Sequence, residues 1–252
     1  MIAAERRARI KKMLLERRFI KVSELTKVFD VSDETIRRDL DELEKEGILK
    51  KNYGGAVLTE DSYVVPPLRV RNEENLEEKM AIGRKMAEII DDGSFVILDA
   101  GSTTLCVARA LRDKSINVLT NDLNISYELS NCPNINVFIT GGLLKKETMS
   151  LIGPEAVRNI QVYNASAAII GTGGITFDKG FTAGDTFEAE VKRAMMSSSD
   201  RVIIVADSSK INKRAMVSFA DISEVDEVVI AGQVDVDFVS GLADIGIKVI
   251  TC

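Results

Sequence analysis

The sequence predicts a two-part α/β chain: a small helical head closed by a β-hairpin, then a mostly parallel sheet covered by helices. Three observations carry that prediction. Three short helical patterns and a basic hairpin fill residues 1–58. Seven Val- and Ile-rich runs then alternate with helical patterns to the end of the chain, as parallel strands buried on both faces do. Charge divides at the same place. Residues 1–58 carry 14 basic and 11 acidic side chains, net +3, and the rest carries 19 and 28, net −9. A basic head on an acidic body points to a polyanion partner for the head alone.

Within the head, residues 3–18 read as a helix, with Ile10, Met13 and Leu14 at helical spacing and basic residues on the other faces. Ser23 is the expected N-cap of a short second helix, "ELTKVF". "DVS" makes a turn, and Ser32 caps a third helix whose first turn holds Asp33 and Glu34, favourable against the helix dipole. Ile36, Leu40 and Leu43 form its apolar stripe, and Gly47 is its expected C-cap. "ILKKNYGGAVL" then reads as two short strands around a Gly-Gly turn.

At about 100° per residue, Arg38 points away from that stripe, with Arg37 on one flank and Thr35 on the other. Asp39, Asp41, Glu42 and Glu44 follow, expected to hold the guanidinium groups or face water. Taken alone, the segment also fits an ordinary solvated helix with i,i+4 ion pairs. The order helix, helix, tight turn, helix, basic hairpin favours a helix that enters a DNA groove. The candidate DNA contacts are Ser32, Thr35, Arg37 and Arg38, with Lys50, Lys51 and Tyr53 on the hairpin.

Residues 59–73, with Pro66-Pro67 and no clear period, read as a linker, which leaves 74–252 as the second domain. It opens with a helix that turns Ile82, Met86, Ile89 and Ile90 inward. The strand runs are "FVILDA", "NVLT", "NVFIT", "AAIIGT", "RVIIVAD", "EVVIA" and "KVIT". Ligands of open parallel sheets bind beyond the strand C-termini, and there this sequence collects small polar residues. Asp99 precedes Gly101-Ser102-Thr103-Thr104 at a helix start, a ready anion site. Other strands end in Thr120-Asn121, Gly141-Gly142 and Asp207-Ser208-Ser209-Lys210. Lys210 can meet a phosphate, and Asp207 or Asn121 can hold sugar hydroxyls. Each stretch alone reads equally as a strand-end turn with a helix cap. Four in one sheet favour a shared pocket.

The composition removes several alternatives. With no histidine, Ser-His-Asp and Cys-His nucleophiles and the commonest metal sets are excluded. Three scattered cysteines, expected to be buried, support neither a disulfide framework nor a zinc site. "GTGGITFDKGFT" lacks the third glycine of a dinucleotide fingerprint, and no Walker sequence is present. No cofactor is expected. No apolar run is long enough for a membrane span, and the charged N-terminus does not read as a signal peptide, so a cytoplasmic protein is expected.

The head resembles the DNA-binding domain of the DeoR family of bacterial transcriptional regulators. The match runs through Arg6, Ile10 and Leu14, a 17-residue spacer, then Ser32, Thr35, Ile36, Arg37, Arg38, Asp39 and Leu40. Tyr53 stands where the family often has histidine in its wing. The second domain is similar to the family's sensor domain through Lys79, "LDAGSTT", "TND", "GG", "LIGPEA", "KGFT", "EAEVKRAMM" and "ADSSK". The resemblance implies a winged helix-turn-helix joined to a domain like the ribose-5-phosphate isomerase and CoA-transferase fold. It further implies a homo-oligomer, dimer or tetramer, that binds double-stranded operator DNA and senses a phosphorylated sugar. "DAGSTT" would hold the phosphate, with Asp207, Lys210 and the loop Lys179, Gly180, Phe181, Thr182 around the sugar. The rival reading is a sugar-phosphate isomerase with an appended DNA-binding head. The strand that should carry its catalytic carboxylates reads "IIGTGGIT", and Glu188 and Glu190 in the next helix look solvated or structural.

Overall fold

The computed structural model describes residues 2–17, 19–46, 48–52, 54–58 and 68–252, which fall into two compact units, Met1–Val70 and Arg71–Cys252. The first contains α1 (Ala3–Arg17), β1 (Phe19–Lys21), α2 (Val22–Phe29), α3 (Asp33–Lys45), β2 (Leu49–Asn52) and β3 (Gly55–Leu58), and α4 (Leu68–Glu73) begins in it. Its core is Ile10 and Leu14 of α1, Leu25 of α2, and Ile36, Leu40 and Leu43 of α3, closed by Ile20, Leu49 and Ala56 of the sheet. Each buried Ile or Leu side chain among these contributes about 1.5–3 kcal/mol when taken from water.

Three local expectations change. β1, too short to show a period, pairs antiparallel with β3, so the hairpin is part of a three-stranded sheet ordered β1-β3-β2. Ser23 is not the cap of α2: the helix begins at Val22 with Lys21 at the cap, where no side-chain bond forms. Part of the expected linker, Leu68–Glu73, is helical. Gly47, the expected C-cap of α3, lies outside the described residues.

The second unit runs α5 (Leu76–Ile89), β4 (Phe95–Leu98), α6 (Ser102–Ala110), β5 (Ile116–Thr120), α7 (Leu123–Leu129), β6 (Ile135–Ile139), β7 (Leu143–Lys145), β8 (Ser150–Ile152) and α8 (Pro154–Ile160). It continues with β9 (Ala167–Gly171), β10 (Gly174–Thr176), β11 (Gly180–Ala183), α9 (Thr186–Ser197), β12 (Val202–Asp207), β13 (Val217–Ala220), β14 (Glu227–Ala231), α10 (Val236–Asp244) and β15 (Lys248–Thr251). The seven expected strands form one parallel sheet, ordered β15-β14-β12-β9-β4-β5-β6. Its pleat separates two cores. Ile97 and Ile204 pack with α8, α9 and α10, while Val96, Leu98, Ile203 and Val205 pack with α5, α6 and α7. Two smaller antiparallel sheets, β7-β8 and β10-β11-β13, have no counterpart in the sequence reading.

α5 and α6 cross almost backbone to backbone. A Cβ on Gly83 would stand 2.6 Å from the Cys106 carbonyl oxygen, so only glycine permits the approach. That crossing fixes α6, whose N-terminus carries Ser102, Thr103 and Thr104. Cys106 and Cys132 are buried as expected, but Cys252 is exposed. No helix among the described residues is long and apolar enough to cross a membrane.

Candidate functional site

In the first unit, Ser32 caps α3 by accepting the Thr35 N–H at 3.3 Å, and the two hydroxyls meet at 2.9 Å. Asp33, Glu34, Arg37 and Arg38 in the N-terminal half of α3 are exposed. The Arg37 side chain is 60% exposed and that of Arg38 78%. Arg37 faces Asp33 at 3.7 Å and Arg38 faces Glu34 at 2.6 Å, both pairs one turn back along the helix. Such exposed i,i+4 pairs contribute about 0.3–0.5 kcal/mol and yield readily to a phosphate.

Asp39 does not face solvent or hold those arginines. It is 3% exposed and accepts from Arg6 Nε at 2.5 Å, with Arg7 at 3.9 Å. Lys51 also departs from expectation. Its ammonium bonds Asp41 and faces Glu44 at 3.4 Å, and its N–H donates to Glu44 at 2.7 Å. The bond to Asp41 holds Lys51 above the ordinary lysine pKa. Asp41 and Glu44 of α3 therefore tie the hairpin to the helix through Lys51, while Lys50, also exposed, makes neither bond. Tyr53 lies outside the described residues.

In the second unit, the strand C-termini do gather polar groups. Asp99, after β4, accepts the Gly171 N–H at 3.0 Å and bonds the ammonium of Lys192, which also donates to the Gly171 carbonyl at 2.9 Å. Burial pushes the Asp99 carboxyl above its usual pKa, and the Lys192 charge opposes that rise. Asp122, after β5, caps α7 through the N–H groups of Asn124 and Ile125 and accepts the Gly101 N–H at 3.2 Å. The Gly101 amide, expected to face an anion, is thus already bonded. So is the Thr104 hydroxyl, which donates to the Gly101 carbonyl at 3.0 Å. The amides of Ser102, Thr103 and Thr104 begin α6 and have no partner within the helix. Burial pushes the Asp122 carboxyl up to about 6, against the N–H groups that favour its charge.

A second group of residues surrounds Asp207 at the end of β12. Its Oδ1 accepts from Asn75 Nδ2 at 3.0 Å and from Ser209, while Lys79 stands 3.8 Å from Oδ2. Burial alone would raise this carboxyl; Lys210, the Ser209 hydroxyl and Lys79 outweigh it and hold the pKa below the usual range. Thr120 offers no surface: it is wholly buried, and its hydroxyl accepts the Asp122 N–H. Asn121 donates to the Leu151 carbonyl at 3.1 Å, and its Oδ1 is buried without a hydrogen-bond partner.

Several expected contacts are structural instead. Phe181 is wholly buried against Phe219. The Thr182 hydroxyl donates to the Gly174 carbonyl and accepts the Ala215 N–H, and Gly180 packs against the Ala220 carbonyl. Lys179 lies on the exposed turn before β11, beside Asp178 at 3.9 Å. At Gly142, φ is +113° and a Cβ would stand 2.7 Å from the Ile152 carbonyl oxygen, so Gly141-Gly142 is a tight turn against the start of α8.

Four residues given no role in the sequence reading interact with these groups: Lys145, Lys192, Asp122 and Arg71. Lys145 of β7 bonds Asp185 and Glu188, the latter at 2.7 Å, which makes Glu188 structural as expected. Lys192 lies on the inward stripe of α9 with Ala189 and Met195, so a lysine at an apolar position was its available signal. Asp122 had the signature of a helix cap. Arg71, within the supposed linker, had none.

Residues 6–62 match the DeoR-like helix-turn-helix domain, and residues 74–231 match the DeoR C-terminal sensor domain. The chain belongs to the DeoR family. As a DeoR-family member it is a transcriptional regulator and not an enzyme. Among its relatives, the uncharacterized HTH-type transcriptional regulator YulB of Bacillus subtilis is 35% identical over 249 residues, 99% of this chain and 96% of that one. The glycerol-3-phosphate regulon repressor of Escherichia coli K12 is 33% identical over 253 residues and covers both chains fully. The putative aga operon transcriptional repressor of Escherichia coli O157:H7 is 30% identical over 98% of this chain and 93% of its own. Ribose 5-phosphate isomerase A from Methanocaldococcus jannaschii overlaps 56% of each chain at 13% identity and a TM-score of 0.42, a partial likeness that bears no weight here.

Proposed function

We propose that this DeoR-family chain is a repressor whose winged helix-turn-helix grips operator DNA and whose second unit binds a phosphorylated sugar that controls the grip. The observation that carries the DNA half is the open face of α3, where Arg37 and Arg38 have only weak partners on their own helix. Arginines so placed reach phosphates or guanine edges in a major groove. Two such helices one groove turn apart require at least two copies of the chain on a palindromic site. The sensor half is supported by the amides of Ser102–Thr104 at the start of α6, by the Ser102 and Thr103 hydroxyls, and by Lys210 near Asp207. These groups suit a phosphate and a polyol together. A coupling of about 1–3 kcal/mol between the two halves changes operator occupancy roughly 5–150-fold.

The test begins with selection of bound duplexes from a random DNA pool by the full-length chain. A recovered palindromic site, released or tightened by one member of a sugar-phosphate panel, is the expected result. Failure to enrich any sequence removes the repressor reading. Enrichment without response to any phosphorylated sugar removes the sensor half.

A further inference from the structure

The segment Arg71–Asn75, which spans the end of the supposed linker and leads into α5, is tied down at both ends. Lys79, 2% exposed, donates to the carbonyls of Arg71 and Glu74. Asn75 adopts a left-handed conformation at φ +51° and donates to Asp207. A non-glycine residue in that conformation is strained, even one as tolerant as asparagine, and needs its surroundings to hold it. A spacer would need none of this. One ion-pairing lysine and one buried aspartate clamp the strap against the ligand-facing end of β12.

The strap also leaves polar groups unanswered. Asn72 Oδ1 and Asp207 Oδ2 are buried acceptors without a hydrogen-bond donor, and Asp207 has no exposed surface. Buried acceptors of this kind are uncommon, because each loses its water without replacement. Both can take a hydrogen from a hydroxyl, and the Lys79 ammonium stands 3.8 Å from Asp207 Oδ2, beyond hydrogen-bond reach. The Arg71 side chain is mostly buried. Burial draws its guanidinium below the usual pKa, and the charges of Glu188, Asp99, Asp122 and Glu74 oppose that. Those carboxylates would repel an anion at the start of α6; the guanidinium offsets the repulsion and offers a planar fork to a phosphate.

We infer that the strap Arg71–Asn75 is a wall of the ligand site, with Arg71 binding the phosphate of a phosphorylated polyol and Asn72 and Asp207 accepting from its hydroxyls. This rests on the sensor reading above and extends it to residues of the strap. Because the strap precedes α5 directly after Val70, a ligand that rearranges Arg71 acts on the stretch of chain leading from the first unit.

The experiment uses the full-length chain and measures binding by calorimetry and thermal shift. The probes are glycerol 3-phosphate, ribose 5-phosphate, glucose 6-phosphate, their unphosphorylated parents and inorganic phosphate. Two variants are compared with wild type, Asn72→Ala and Arg71→Gln. Asn72→Ala removes an unsatisfied buried acceptor, so a purely structural role predicts an unchanged or higher melting temperature and unchanged ligand affinity. The inference predicts an unchanged or higher melting temperature with affinity for the preferred phosphorylated probe reduced at least tenfold. Arg71→Gln is expected to lose at least tenfold toward that probe and little toward its unphosphorylated parent. Wild-type affinity in both variants overturns the strap assignment and leaves the sensor reading standing. If no phosphorylated probe binds wild type, the sensor reading fails and the inference falls with it. Should Arg71→Gln not fold, Asn72→Ala decides alone.

Discussion

Arg6 and Asp39, 33 residues apart, form a single buried ion pair that joins α1 to α3, Nε donating to Oδ2 at 2.5 Å. The pair explains why an arginine in the first helix and an aspartate beside Arg37 and Arg38 occur in one pattern. Asp39 fixes the angle of the helix that presents Arg37 and Arg38. Truncating one partner leaves the other buried and unmatched, which costs about 3–5 kcal/mol. Asp39→Ala should therefore lower the melting temperature of the first unit and weaken operator binding. The dependence of binding on salt should keep its slope, because the phosphate contacts themselves remain. A variant with normal stability would show that the pair is not holding the helices together.

Arg38 tests the docking itself. Its partner Glu34 lies on the exposed surface of the same helix, so the arginine is available to DNA at little cost. Arg38→Ala should weaken binding to all sequences and reduce the slope of log affinity against log salt by about one. Lys50→Ala should act in the same way. Lys51→Ala should change that slope less, since Asp41 and Glu44 already hold its ammonium against α3. Filter binding between low and moderate salt measures all three. An unchanged slope for Arg38→Ala would count against the docking.

Much of this was legible in the sequence where a period or a cap carried it. The seven parallel strands appear as apolar runs because both faces of the sheet are covered, so no polar alternation interrupts them. Ser32 was legible because capping is local. β1 and the small sheets were not, since three- or four-residue strands show no period and depend on their partners. The site was half legible. Asp99, Thr120 and Asn121 were correctly placed at strand ends, but sequence could not say that their polar atoms are largely engaged with the protein. Phe181 was misread because a loop motif shared by the family also serves the core. Arg71 and Lys145 were invisible because their roles come from tertiary contacts of segments distant in sequence.

Asp122 makes stability depend on pH. Its carboxyl is raised from 3.8 to about 6 chiefly by burial. Between those values the folded chain keeps a proton that the unfolded chain has lost, so its contribution to stability falls as pH rises through that window and levels off above it. Between pH 4.5 and 7 the loss amounts to about 2 kcal/mol from a shift of this size. Asp122→Asn cannot ionise. The stability difference between wild type and variant should therefore move by about that amount over the window, the wild type losing ground as pH rises. Urea melts of both proteins at the two pH values decide it, and parallel pH profiles would refute the assignment.

Asp99 and Lys192 separate support from binding. Both are buried, their ion pair is closed by Gly171, and neither Asp99 Oδ2 nor the lysine is idle. Lys192→Met should cost about 3–5 kcal/mol by leaving a buried carboxylate without its cation. Adding Asp99→Asn removes the charge while keeping an acceptor for the Gly171 N–H, and should restore most of the loss. If the pair only positions the start of α6, the double variant will still be stabilised by the phosphorylated ligand that stabilises wild type. A double variant that folds well but no longer responds would instead make this pair part of the ligand's own binding surface.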